Sequence, residues 1–217
     1  MRILVIGAAG YIGSHVVKDL LKQGHRVIIL DNLSTGNRQA VTGGEFIQGD
    51  LGDRELLGQI FSSQKIDCVM HFAAFSLVGQ SVEKPLAYYD NNTGKTTRLL
   101  MAMREHGVNR CILSSTAAVY GEPKNVPILE TDPTEPTNPY GRSKLFIEKI
   151  LGDCDAAHGL KYTSLRYFNA AGADEDGEIG EDHLPETHLI PIVLEVALGQ
   201  RESIKIFGID WDTPDGT

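Results

Sequence analysis

Tyr140 and Lys144 lie four residues apart in NPYGRSK. Residues four apart on a helix are neighbours, so a helix opening here sets an ammonium beside a phenol. A free tyrosine ionises near a pKa of about 10, too high for a base at neutral pH. A nearby positive charge favours the phenolate. A phenolate so held can take a proton from a hydroxyl as hydride leaves the carbon that bears it. Upstream, SSTAAVYG brings Ser114, Ser115 and Thr116 together, and the Thr116 hydroxyl could bond the same oxygen. Alone, a Tyr-x-x-x-Lys pair is more simply a packed ring and a solvated lysine.

The N-terminus supplies a partner for that chemistry. A β-branched run, RILVIG, enters GAAGYIG, with Gly7, Gly10 and Gly13 opening a helix. Gly7 permits a tight turn, Gly10 lets backbone amides approach a pyrophosphate, and Gly13 lets the helix pack close to the sheet. The helix N-terminus then faces the negative charge. The next strand ends at Asp31 in VIILDNLSTG. A carboxylate there would accept hydrogen bonds from an adenosine ribose and repel a 2′-phosphate, which favours NAD over NADP. Asp50 in QGDL is placed to meet the adenine amino group, although an aspartate after glycine is also a common turn. An oxidised nicotinamide ring would add its positive charge to that of Lys144 beside the phenol.

The elements needed to position these residues are legible in order. Strands are predicted at RILVIG, RVIIL, EFIQGD, DCVMHFAA, RCILSST and YTSLRYF. Helices are predicted at YIGSHVVKDLLKQG, RELLGQIFSSQ, PLAYYDNNTGKTTRLLMAMREHG and YGRSKLFIEKILGDCDAAHG. The stretch from Gly121 to Pro139 holds five of the nine prolines and reads as a loop. Alternating strand and helix predicts an α/β, doubly wound parallel sheet, and ligands then sit beyond the carboxyl ends of the strands. After Asn169 the pattern changes to the acidic GADEDGEIGEDHLPE, the helical THLIPIVLEVALG and a short strand at SIKIFG. We therefore expect a dinucleotide domain over 1–169 and, over 170–217, the start of a smaller, incomplete substrate lobe.

The 217 residues are 41% apolar and 23% charged, ordinary for a globular chain with a core. The net charge of −9 disfavours nucleic acid as a partner. Cys68, Cys111 and Cys154 show no metal spacing and read as free thiols of a reducing, cytoplasmic setting. The N-terminal run is too short and glycine-rich for a membrane span. No metal site is read from the sequence.

GAAGYIGSH, VIILDNLSTG, GDL, HFAA, VGQSVEKPLAYYDNN, SSTAAVYG, NPYGRSK, LRYFNAAGA, GEDH and THLIP follow one another along the chain. In that ordered set the sequence resembles the extended short-chain dehydrogenase/reductase family, most closely its nucleotide-sugar 4-epimerases. The resemblance implies a tightly held, recycled NAD and inversion at C4 of a UDP-hexose, glucose to galactose or back, through a transient 4-keto sugar. It implies that Tyr140 is the base, Lys144 anchors the nicotinamide ribose and Thr116 is the catalytic hydroxyl. Further cofactor contacts are implied at Gly7, Tyr11, Ile12, Asp31, Asn32, Leu33, Ser34, Thr35, Gly36, Asp50, Leu51, Phe72, Ala73, Ala74, Asn91, Ser114 and Phe168. Substrate contacts are implied at Asn169, His188, Leu189, Lys205, Ile206 and Phe207, besides Thr116 and Tyr140. His188 stands where many members carry an amide residue. A homodimer is implied, built as a four-helix bundle from Pro85–His106 and Tyr140–His158. Members also continue past the residues matched here, through an arginine that meets the diphosphate.

Rival activities on this fold are 4,6-dehydration and decarboxylation, which need extra acids and bases directly after the Ser/Thr. Ala117 and Ala118 occupy that place. Epimerases of UDP-glucuronate or UDP-N-acetylhexosamine stay open, as does a non-catalytic NAD-binding module.

Overall fold

The computed structural model describes residues 1–183, 185–206, 208–211 and 213–216. Six strands form one parallel sheet: β1 (Arg2–Ile6), β2 (Arg26–Asp31), β3 (Glu45–Gln48), β4 (Cys68–His71), β5 (Arg110–Thr116) and β6 (Lys161–Tyr167). Their spatial order is β3-β2-β1-β4-β5-β6, the doubly wound arrangement. The order reverses between β1 and β4, where Ile6 is level with His71, and a crevice opens beyond these ends.

The strand period of two accounts for the layering. Leu4 and Ile6 point into one core with Leu57 and Ile60 of α2 (Arg54–Ser63). Leu99 and Met103 of α5 (Lys95–Glu105) and Ile147 and Leu151 of α6 (Pro139–His158) complete that layer. Ile3 and Val5 point the other way, onto Val17 and Leu20 of α1 (Tyr11–Lys22). Alternate residues of β1 and β2 are thus buried on opposite faces, as a sheet covered on both sides requires.

Two expectations change. The single helix expected from Pro85 onward is α4 (Pro85–Tyr88), a π-helical stretch (Tyr89–Gly94) and then α5, preceded by α3 (Val78–Glu83). Asn91, Asn92 and Gly94 are weak helix formers, and the Asn92 side chain is drawn across to other elements. Its amide accepts from Phe75 N at 2.8 Å and donates to Phe75 O at 3.0 Å and to Ser143 Oγ at 3.1 Å. The strand expected at SIKIFG is absent from its described residues, Ser203 to Ile206 and Gly208. Alternating pattern alone makes no strand where no neighbouring edge takes up its backbone groups.

The segment after β6 returns to α1. Tyr11 donates to Gly172 O at 2.6 Å, and the Lys18 ammonium meets Asp174, Asp176 and Glu178 at 2.6–3.0 Å. α7 (Leu189–Ala197) then exposes Leu189, Ile190 and Leu194. Among the described residues no helix is long and apolar enough to cross a membrane.

A polar network ties α6 to the sheet edge. Glu148 accepts from Ser115 Oγ and, at 2.7 Å, from Arg166 Nη2. Arg166 also donates to the Tyr120 hydroxyl at 2.7 Å and lies over that ring. Arg166→Ala would leave a carboxylate buried without its cation, which destabilises by about 3 kcal/mol. Urea unfolding of the variant checks this, and a loss below about 1 kcal/mol would mean the pair counts for no more than a surface bridge.

Candidate active site

A cavity of about 880 Å³ occupies the crevice at the carboxyl ends of the strands. Its floor is the turn after β1. Gly7 has φ +78°, and a Cβ there would lie 2.4 Å from Ala73 N. At Gly13 a Cβ would fall 2.2 Å from Gly7 O, so the helix can approach the turn only without side chains. Gly10 differs, since its Cβ would meet protein only at 3.4 Å and would otherwise project into free space. No side chain caps the start of α1. Its first N–H groups therefore keep their capacity to donate beside Gly10, Tyr11, Ile12 and Gly13, all of which line the cavity.

Asp31 has a duty the sequence did not show. Its Oδ2 accepts from Ala9 N and its Oδ1 from Leu33 N, both at 2.8 Å. These bonds fasten the glycine turn to β2 and leave lone pairs for further donors. Asn32, Ser34, Thr35 and Gly36 line the cavity, but Leu33 does not. Leu33 sits at φ +58° and packs into the α1-side core. Asp50 and Leu51 line the wall beyond β3. Burial alone would raise the Asp50 pKa, but the Lys95 ammonium at 2.8 Å and the N–H of Gly52 hold it below the usual range.

Phe72, Ala73 and Ala74 follow β4 and line the cavity, as do Asn91 and Ser114 of β5. Phe72 N and Ala73 N both donate to Ile6 O, which pins the two strand ends together. The π-helical turn sets neighbouring asparagines to different tasks: Asn91 borders the cavity while Asn92 is buried as a clamp. Asn92 was not singled out from the sequence, since its partners Phe75 and Ser143 are distant in the chain.

The opposite wall holds Thr116, Tyr140 and Lys144. Thr116 caps a 3₁₀ turn (Ala117–Tyr120) by accepting from Ala118 N at 3.1 Å. α6 starts hard against this turn, because a Cβ on Gly141 would lie 2.6 Å from Ala118 O. That approach brings the neighbouring Tyr140 phenol to the Thr116 hydroxyl, whose influence favours the phenolate. Lys144 is buried and donates to Ser114 O at 2.7 Å.

Burial pushes the Tyr140 phenol above its ordinary pKa, and the Thr116 hydroxyl only partly offsets this. The Lys144 ammonium is aimed at a backbone carbonyl, and without a second cation it does not bring the phenol into the neutral range. Burial lowers Lys144 itself to about 8, and the Glu148 carboxylate one turn on works against that fall. His71, another residue the sequence did not flag, lies in the same field. Thr96 Oγ1 donates to Asn92 O, so His71 Nε2 must be the donor in its 2.8 Å contact with Thr96. Burial and the Lys144 charge push His71 down to about 3, which keeps it neutral.

The expected substrate residues divide. Asn169 and His188 border the cavity, as do Phe168, Glu181, His183 and Thr187. Leu189, Lys205 and Ile206 stand outside it and are exposed. The helix start at Leu189 turns that side chain outward, and the chain around Lys205 and Ile206 forms no strand that could carry it to the crevice. Phe207 lies outside the described residues.

The open face of Gly10, the uncapped helix start and the carboxylate closing β2 fit a dinucleotide, with its pyrophosphate at the turn and its ribose at Asp31. The chain is 58% identical over 218 residues to the UDP-glucose 4-epimerase of Lacticaseibacillus casei, across 100% of this chain and 66% of that protein. Identity to the enzyme of the same name from Halalkalibacterium halodurans is 59%, across 100% of this chain and 65% of the relative. The chain thus spans about two thirds of the length of these curated relatives. Among solved structures, UDP-glucose 4-epimerase from Brucella ovis in complex with NAD superposes with a TM-score of 0.95 at 48% identity, over 99% of this chain and 66% of that one. The Bifidobacterium longum enzyme in complex with NAD+ and UDP gives 0.95 at 42% identity, over 100% and 68%. The family model for NAD dependent epimerases and dehydratases matches residues 3–217. The chain belongs to the NAD dependent epimerase/dehydratase family, whose coenzyme is NAD.

Proposed function

We propose that this chain carries the coenzyme site and catalytic residues for inverting C4 of a UDP-hexose, interconverting UDP-glucose and UDP-galactose. The observation that carries the proposal is the meeting of Thr116, Tyr140 and Lys144 on one wall of a cavity floored by the glycine turn. Bound NAD would accept a hydride from the sugar and later return it. The Tyr140 phenolate takes the proton of the 4-hydroxyl as hydride leaves C4, which gives a 4-keto sugar. Thr116 donates a hydrogen bond to that oxygen. Once the keto sugar has turned its other face to the returning hydride, Tyr140 would give the proton back to the same oxygen. No net oxidation results, and C4 is inverted.

Lys144 has a role in binding and a role in electrostatics. Its ammonium would hold the nicotinamide ribose and would add to the field of the oxidised ring at the phenol. Asp31, fixed by two backbone N–H groups, sits where a 2′-phosphate would be repelled, in favour of NAD. The other cavity-lining residues at the turn, after β2, β3 and β4, and at Asn91, Ser114 and Phe168 are the proposed coenzyme contacts. Asn169 and His188 are the proposed sugar-nucleotide contacts. Nδ1 of His188 faces two carboxylates, which leaves Nε2 for a diphosphate oxygen. Ala117 and Ala118 border the cavity where a dehydratase would need its additional acid and base. Residues 170–217 would begin the substrate lobe. Three free thiols, two of them buried, suit a reducing cytoplasm.

The partner proposed besides the UDP-sugar is a second copy, docked as a four-helix bundle through Pro85–His106 and Tyr140–His158. Exposed Leu86, Met101 and Phe146 on these helices support it. Light scattering should give twice the chain mass of 23.7 kDa, and a monomer at micromolar concentration would remove this face as an interface.

Tyr140→Phe should keep NAD and lose all but about one part in a thousand of turnover, the loss expected of a removed general base. Turnover of UDP-galactose to UDP-glucose, followed by NMR, checks this. Undiminished activity would take the base role from Tyr140.

A further inference from the structure

Between β6 and α7, four side chains turn their ligand atoms toward one point. Glu181, His183, Glu186 and His188 each offer one such atom, and these lie within 4.8 Å of one another. His188 Nδ1 is 2.8 Å from Glu181 Oε1 and 3.0 Å from Glu186 Oε1. His183 Nδ1 is 3.4 Å from Glu181 Oε1 and 3.7 Å from Glu186 Oε2. The two carboxylate side chains are only 9% and 8% exposed. Among the described residues, their ion-pair partners are these two histidines and no lysine or arginine.

The cluster is unsatisfied as a purely hydrogen-bonded group. Glu181 Oε1 and His183 Nδ1 are both buried and both lack a hydrogen-bond partner. Native structures seldom leave such atoms unpaired, and an ion is one of the ordinary explanations. A proton on His183 Nδ1 cannot mend this, since that nitrogen stands too far from either carboxylate for a good bond. A proton on His188 Nδ1 serves Glu186 and still leaves Glu181 Oε1 without a donor.

One dication answers all of these points. It would neutralise two buried carboxylates, use the lone pair of each Nδ1 and occupy the space between them. We propose that Glu181, His183, Glu186 and His188 bind a zinc ion. Two imidazoles and two carboxylates form a mixed N/O set that suits Zn²⁺, whereas Mg²⁺ and Ca²⁺ favour oxygen alone. Zinc bonds of about 2.0–2.2 Å set tetrahedral ligands roughly 3.4 Å apart. His188 Nδ1, at 2.8 and 3.0 Å from the two carboxylates, would draw back slightly to reach this spacing, and its half-exposed ring leaves room for that. All four ligands come from protein, which marks a structural site rather than a catalytic one. Its place fits that purpose. Tyr11 at the start of α1 packs edge-on to His183 at 6.2 Å, so the ion would fasten this segment against the first helix at the rim of the cavity.

The test uses the untagged chain, stripped with a chelator and titrated with zinc chloride in a calorimeter. The expected result is saturation at one Zn²⁺ per chain. In NMR spectra, the ring signals of two of the seven histidines, His183 and His188, should shift with the metal. His183→Ala and Glu186→Gln should each weaken zinc at least about tenfold. The ring signals of the unmodified chain decide the matter even if a variant fails to fold. Absence of saturable binding, ring signals of His183 and His188 that stay in place, or equal affinity in folded variants would each overturn the site.

Discussion

A buried ammonium is the constraint around which this structure is arranged. Lys144 sits in the interior, where a charge is tolerated only when it is paired and hydrogen-bonded. Ser114 O accepts a hydrogen bond from it, and Glu148, one helical turn further on, holds it toward the charged form. Glu148 needs partners in turn, and β5 and β6 supply them as Ser115 and Arg166. Tyr140, Lys144 and Glu148 thus form a line on one face of α6, each four residues from the next. The sheet edge stabilises the far end of that line, and the cavity opens at the near end.

This arrangement makes the base conditional. Burial beside Thr116 pushes the phenol above its solution value, so the chain by itself keeps Tyr140 protonated at neutral pH. A cation arriving in the cavity would favour the phenolate. Linkage makes the effect reciprocal: an oxidised coenzyme that lowers the phenol pKa must bind more tightly to the phenolate form, so its affinity rises with pH through that titration. On this view the proton acceptor is completed by the coenzyme that also takes the hydride. Proton and hydride removal then become available together.

Much of this was legible in the sequence because it is local. The strand-to-glycine turn, the Asp31 that ends β2 and the four-residue spacing of Tyr140 and Lys144 each follow from adjacent residues. What was not legible depends on contacts between distant parts of the chain. Asn92 looks like one more polar residue of a helix until Phe75 and Ser143 are brought to it. His71 reads as a strand end, and burial beside Lys144 is what holds it firmly neutral. The rise of the Tyr140 phenol in the chain without coenzyme is not legible for the same reason, because desolvation is a property of the packed protein. Leu189, Lys205 and Ile206 were assigned through resemblance, and no local force draws them to the crevice.

The most direct measurement is the ionisation of Tyr140, followed by ultraviolet difference absorbance as pH is raised. Tyr140→Phe serves as the blank for the other six of the seven tyrosines. In the chain freed of coenzyme, the Tyr140 phenol should titrate above the ordinary value of about 10. With NAD+ bound, its midpoint should fall toward neutrality. A midpoint unmoved by NAD+, or a phenolate already present at neutral pH without it, would contradict the coupling.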